Sequence, residues 1–418
     1  MSSPLADRRL CQVSAATAFI VLVAGQSSLG SGAARIPAAL LGVPALLAAL
    51  LGPVVLRLRQ TRKSPVLTSV FWSVSVLLVV LAASAMWANG EAATTDELLW
   101  IVLLIGLLAV VSATAQLDPR ATVDTFMLLS VIFGIVFAAA GLLDSAGSSR
   151  ISAFGGGPNV FGRITGIGVV AVMYWVLRGY RGWPILIAFV PLLATATLLS
   201  GSRGAMLGSL VGLMVVALGF NRRTLRRLIP LAIVMVPVVL IVYSVFGRHL
   251  QSVVTQRIVK LTFEEGYTAG RNTLWAAAGD LIQTDPILGS GLGTYINQNG
   301  FYAHNLILQV GVDSGLLGIA VLFGCLIVIV KNLMGRPLRS PLVLAPVAAA
   351  LVIFVASMFS GDYYDSRFFW AFSIVACAMA TQLRTQPTRA PGSSGVGRGP
   401  AQSASVPVTA RNGGPASP

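Results

Sequence analysis

Residues 98–117 read LLWIVLLIGLLAVVSATAQL, twenty successive positions without a charge, closed off by Asp96 and Glu97 before and Asp118, Pro119 and Arg120 after. Twenty residues of helix rise roughly 30 Å, the thickness of a bilayer's hydrocarbon core. A run of that length and composition reads as a membrane-spanning helix. Working outward, comparable runs bounded by charges, Gly and Pro recur at 11–29, 36–56, 66–88, 122–143, 159–177, 183–199, 204–220, 228–247, 304–330, 342–360 and 367–383. The whole-chain composition agrees: 56% of the 418 residues are hydrophobic, 10% are charged, and mean hydropathy is +0.82. A soluble domain carries about 25% charged residues, so a water-soluble globular protein is excluded. The expectation is an all-α integral membrane protein with about 12 transmembrane helices, polytopic over 1–383. Residues 384–418, rich in Gly, Pro, Ser and Thr, read as a disordered cytoplasmic tail.

The excess of 29 Lys and Arg over 14 Asp and Glu gives a net charge of +15. Such a balance often signals nucleic acid, but here the cations sit between apolar runs, where topology and anionic head groups account for them. With the N-terminus inside, alternate connections carry 20 cations on the cytoplasmic side against 8 on the other. Both termini are therefore expected in the cytoplasm of a plasma-membrane protein, with the long connection 248–303 outside. The first run follows Arg8 and Arg9 like a signal peptide, yet no cleavage site precedes the next run, so an uncleaved anchor is expected. Cys11, Cys325 and Cys377 lie in or beside apolar runs without CxxC spacing and read as packing residues.

The chemistry is expected in and around 248–303. Leu274, Trp275, Ala278, Leu281 and Ile282 form one helical stripe that ends at Asp285-Pro286. Such a helix can lie in the membrane interface or over the mouth of the bundle. The glycine-rich GSGLGTY (289–295) can bring backbone amides to an anion, or simply be a flexible loop. His304, one of two histidines, titrates near neutrality and is the candidate catalytic base; the bland alternative is an interfacial polar residue. Asp313 lies nine residues on, facing the other side of the same helix, and is poorly placed to orient His304 directly. Arg203 in GSRGA (201–205) and Arg271 at the start of the amphipathic helix are either snorkelling arginines or a phosphate clamp. Arg163, one turn into a span after GGGPN (155–159), is costly there unless it lines a cavity or meets an anion. The acidic residues on that side are scattered along the chain, and no metal site is expected.

Taken in order, SRGA (202–205), GR-x-x-LW (270–275), DPILGSGLGTY (285–295), AHN-x-x-LQ (303–309) and GLLG (315–318) resemble the O-antigen ligase and polymerase superfamily. The resemblance implies a GT-C-like bundle with one large extracytoplasmic loop. It implies a metal-independent glycosyltransferase, without cofactor, acting at the outer face. The donor is an undecaprenyl-pyrophosphate-linked oligosaccharide, and the acceptor a glycan or lipid-glycan. It places Arg203 and Arg271 on the pyrophosphate and His304 at the acceptor hydroxyl, with Asn305 a further recurring position. Arg163, from its depth, and Asn305 are added to the expected substrate-binding set. Two rivals remain open at this stage. A flippase for the same lipid would also want cavity arginines, although carriers bind at the midplane. A metal-dependent polyprenyl-phosphate sugar transferase would want an acidic first outer loop, and 30–35 holds no carboxylate.

Overall fold

The structure, a computed structural model, describes residues 4–24, 28–29, 36–37, 49, 67–143, 150–253, 255 and 270–385. Among the described residues the regular structure is helical apart from a two-residue antiparallel pairing of Ser28–Leu29 with Ile36–Pro37. In chain order the helices are α1 (Pro4–Ala24), α2 (Ser69–Ala83), α3 (Glu91–Leu117), α4 (Pro119–Leu143), α5 (Gly157–Arg178), α6 (Trp183–Ile187) and α7 (Val190–Leu199). They continue as α8 (Arg203–Ala217), α9 (Arg222–Val253), α10 (Arg271–Thr284), α11 (Thr294–Asn299), α12 (Leu306–Leu333), α13 (Pro341–Ser357) and α14 (Arg367–Thr385).

Among the described residues, five stretches are long and apolar enough to cross a bilayer: Ser69–Trp87, Thr94–Leu117, Pro119–Leu143, Gly157–Arg178 and Leu306–Leu333. Trp183–Leu199, Arg203–Ala217, Val236–Arg248 and Pro341–Ser357 are shorter apolar helices. The expected run at 36–56 and the expected tail 384–418 lie almost wholly outside the described residues, Arg384 and Thr385 being the last turn of α14. Where the expected run 183–199 was continuous, the chain breaks into α6 and α7. Pro184 and Pro191 each occupy the first turn of a helix, where the missing N–H is harmless and the fixed φ starts a new element. The expected run 304–330 is α12, bent at Ser314 and Gly315, whose φ of 62° no helix accommodates.

Helix α8 is drawn onto α13 by Gly204, Gly208 and Gly212, one glycine per turn along one face. A Cβ at Gly208 would lie 2.3 Å from the Val352 carbonyl oxygen, so only glycine permits this approach. That seam fixes the N-terminus of α8, and hence Arg203, beside the C-terminal end of α13. The stripe on α10 does not face lipid alone. Ala278, with Leu274, Leu281 and Ile282, packs on Tyr295, Ala303, Leu308 and Val312, roofing the start of α12.

Candidate functional site

The turn that carries His304 is pinned from both sides. The Ala303 N–H donates to Gln309 Oε1 at 2.8 Å, and the Ala303 carbonyl accepts from Trp275 Nε1 at 3.1 Å. Thus α12 and α10 grip the two peptide groups that flank Ala303, and the LW and LQ of the sequence motifs acquire a physical role. His304 itself sits at φ 54°, in the left-handed region that costs a non-glycine residue about 1–2 kcal/mol. Such strain persists only where the surroundings over-determine it. The ring lies 4.3 Å from that of Tyr302, and its buried Nδ1 has no hydrogen-bond partner among the described residues. Burial and the nearby Arg271 guanidinium hold the imidazole below its ordinary value, with Asp365 pulling the other way. At neutral pH it is a neutral base.

Around this turn the elements end on. Arg203 is the first residue of α8, capped by Ser202, and Arg271 is the first residue of α10. The two are close enough that, after burial, Arg203 is the main influence depressing the Arg271 guanidinium. Arg163 lies in the second turn of α5 and is only 2% exposed. Asp365 approaches its Nη1 to 3.9 Å, and neither Nη1 nor Nη2 has a hydrogen-bond partner among the described residues. Because Arg163 and Arg271 both act on His304, the structure brings these cations to one place. Arg203 and Arg271 open α8 and α10, and His304 lies two residues before α12, so three helix N-termini add partial positive charge near these side chains.

Asn305 has a different occupation. Its Oδ1 accepts from the N–H groups of Ile307 and Leu308 at 2.9 and 3.1 Å, capping α12. Its Nδ2 donates to the Met358 carbonyl at 3.0 Å. The carboxamide that was expected on substrate is therefore committed to backbone at both ends. GSGLGTY is no loose loop either, and its Gly293 amide serves the buried Asp313 carboxylate. The Ser290 and Gly291 amides donate to the carbonyls of Val312 and Asp313 at 2.8 and 3.2 Å, wedging the loop into the bend of α12. A Cβ on Gly315 would meet the Ile287 carbonyl oxygen at 2.4 Å, which explains the glycine there.

Several residues that the sequence reading passed over complete the site. Tyr302 donates to Asp365 Oδ2 at 3.1 Å, and burial with Asp365 raises its phenol. Arg150 donates to the Ser200 carbonyl at 3.0 Å and to Asn159 Oδ1 at 3.2 Å, while Asn159 donates to Ser360 Oγ at 2.7 Å. This chain of bonds ties α5 to both the α7–α8 and α13–α14 junctions. Buried Arg367 donates to the Leu22 carbonyl at 2.9 Å and lies over the Tyr364 ring. The acids, scattered in sequence, gather in space: Asp362 is raised by burial and then by Asp365 and Glu97, and Tyr363 hydrogen-bonds Glu97. Among the described residues, no group of three His, Cys, Asp or Glu side chains is placed to hold a metal ion. Asp313, fully buried, accepts from Gln309 Nε2 at 3.0 Å and so reaches the His304 turn only through Gln309.

The arrangement can hold an anion with guanidinium groups beside a neutral imidazole. Residues 186–323 match the family model for O-antigen ligase, a match that supports an O-antigen ligase/polymerase assignment. The matched span contains Arg203, Arg271, His304 and Gln309, but neither Arg163 nor Asp365. No curated protein and no solved structure matches the chain. With the apolar helices, the match supports a membrane protein with a role in glycan ligation or polymerisation.

Proposed function

We propose that the protein is a metal-independent glycosyltransferase that takes a glycan from undecaprenyl pyrophosphate at the outer face of the plasma membrane and passes it to an acceptor hydroxyl. The observation that carries this reading is the gathering of Arg163, Arg203 and Arg271 around His304, with both terminal guanidinium nitrogens of Arg163 buried without a hydrogen bond among the described residues and Asp365 no nearer than 3.9 Å. A buried cation of that kind is costly without an anion.

In the proposed reaction the His304 imidazole accepts the proton of the acceptor hydroxyl. The acceptor oxygen bonds to the anomeric carbon, the bond from that carbon to the diphosphate oxygen breaks, and its electron pair leaves with the diphosphate. Negative charge grows on the leaving group, where fixed guanidinium donors stabilise it in a partly dehydrated site. Positive side chains thus supply what a divalent cation supplies in other transferases. Tyr302 packs against the imidazole and donates to Asp365, whose charge favours the protonated ring once it has taken the proton.

The test is transfer by purified protein from lipid-linked glycan to acceptor, in excess EDTA. Full activity with the wild type and none with His304→Ala, which still binds donor, is the expected result. Activity that vanishes with EDTA and returns with magnesium would overturn the metal-free reading. Translocation of donor across liposomes without transfer would overturn the enzyme.

A further inference from the structure

Helix α12 has 28 residues, a rise of about 42 Å, against a hydrocarbon core of about 30 Å. Its two parts meet different surroundings. From Leu306 to Gly315 every residue is buried or half-buried, with Gln309 and Asp313 fully enclosed. Beyond the bend exposure turns periodic: Leu316, Phe323, Ile327 and Val330 are exposed along one face, while Leu322, Cys325 and Ile329 are buried on another. That is a helix with lipid along one side, and 316–333 rises about 27 Å. The neighbouring span gives the same thickness. Ser69–Trp87, which is α2 with the 3-10 turn that extends it, has 19 residues, or about 28 Å. The two are antiparallel and aligned: Asn332 Nδ2 donates to Ser69 Oγ at 3.2 Å, and Cys325 Sγ to the Ser73 carbonyl at 3.0 Å. At that end Lys331 is exposed and Arg384 donates to the Asn332 and Met334 carbonyls, cations suited to a head-group boundary. At the other end Trp87 and the α12 bend meet at Gly289. Trp87 Nε1 donates to the Gly289 carbonyl at 3.1 Å, and a Cβ on Gly289 would lie 2.5 Å from the Gly315 nitrogen.

Hydrogen bonds bring the segment after α10 to this same level. The Leu316 N–H donates to the Pro286 carbonyl at 2.8 Å and the Leu317 N–H to the Ile287 carbonyl at 3.2 Å. Ile287 and Leu288 are exposed there, beside exposed Leu316 and Leu317, and Met86 is exposed next to Trp87. An apolar patch of this kind is costly in water. We propose that the hydrocarbon boundary on the His304 side passes at the α12 bend, and that Ile287 and Leu288 dip into it as a membrane anchor of the connection that carries α10. The occupant is lipid and not a second copy of the chain, for two reasons. The patch continues the exposed stripe of α12, and it lies one hydrocarbon thickness from the cations at the opposite end. The His304 turn then stands on the head-group side of the boundary, and 306–315 is enclosed by protein where the sequence alone would extend the span through it. Such a surface needs only a bilayer as its partner, whatever reaction the site performs.

The experiment is nitroxide accessibility by electron paramagnetic resonance, on the full chain in phosphatidylcholine nanodiscs. The label is carried by Ile287→Cys or Leu288→Cys, with Gln283→Cys on the exposed side of α10 and Phe323→Cys in mid-span as references. Cys11, Cys325 and Cys377 are buried, and any label they take is measured on the wild type and subtracted. Oxygen concentrates in hydrocarbon and a nickel chelate stays in water, so the ratio of their collision rates reads depth. Relative to Gln283, Ile287 and Leu288 are expected to lose nickel collisions and gain oxygen collisions, at a depth shallower than Phe323. Nickel collisions at both positions equal to those at Gln283 would put the segment in water and overturn the proposal. So would exclusion of both reagents, which means cover by protein such as a second copy. A depth equal to that of Phe323 would move the boundary past the bend and overturn it as well.

Discussion

Gln309 is buried, and its single carboxamide holds two groups: the Ala303 N–H and Asp313 Oδ2. Gln309→Met keeps the length and most of the volume, so the packing change is small. It leaves a backbone donor and a carboxylate oxygen without that partner, at about 1–3 kcal/mol for each buried unsatisfied group. Most of that cost falls on the turn that holds His304 in its strained conformation. The Ala303 amide, closed by about 1–3 kcal/mol less, should exchange its hydrogen about 5–150 times faster. A base displaced by 1 Å can lose about 100-fold in rate. Hydrogen exchange of the peptide spanning 300–309, measured beside glycan transfer by the same preparation, checks both. Exchange at Ala303 and turnover both at wild-type values would refute the claim that Gln309 positions the histidine.

The other expectations are briefer. Since burial and Arg271 depress the imidazole and only its neutral form is a base, the acid limb of kcat/KM should fall below the ordinary 6.5. Arg271→Gln should move that limb upward in pH, and a limb at or above 6.5 in the wild type would contradict the electrostatics. His304→Gly and His304→Ala should both be inactive. The glycine variant should be more stable in detergent by about 1 kcal/mol, because glycine accepts positive φ without strain; equal melting would mean the turn stores none. Gly208→Leu must push α8 off the Val352 carbonyl, so it should lower thermal stability by at least about 1–3 kcal/mol and displace Arg203. Arg203→Lys should slow transfer despite keeping its charge, because the planar fork is lost.

What was legible in the sequence followed from periodicity and solvation. Charge-free runs gave the helices because a bilayer leaves a backbone few other ways to satisfy its polar groups. His304, Arg203, Arg271 and Arg163 stood out because each is a polar group in an apolar context. Their place on one membrane face suggested a shared pocket, but the contacts that bring α5, α8, α10 and α12 together, far apart in the chain, were not readable. The small-residue seam at Gly204, Gly208 and Gly212 was readable as a spacing of four, yet its partner on α13 was not. Asn305 illustrates the converse: an Asn directly before an apolar helix is an N-cap by local rule, and capping is what it does. GSGLGTY misled because glycine serves close backbone packing as readily as anion binding, and only the bend at Gly315 decides between them. Asp362 and Asp365 looked solitary because Glu97, which completes their cluster, lies on α3.

Binding of inorganic diphosphate to the purified full chain, titrated calorimetrically without metal, tests the central claim most directly. Replacing Arg203 or Arg271 by Gln removes a charge-assisted bond of about 1.5–3 kcal/mol, so each should weaken binding about 10- to 150-fold, while His304→Ala leaves it unchanged. Wild-type affinity in both arginine variants, or an equal loss on removing the histidine, would contradict a guanidinium clamp beside a separate base.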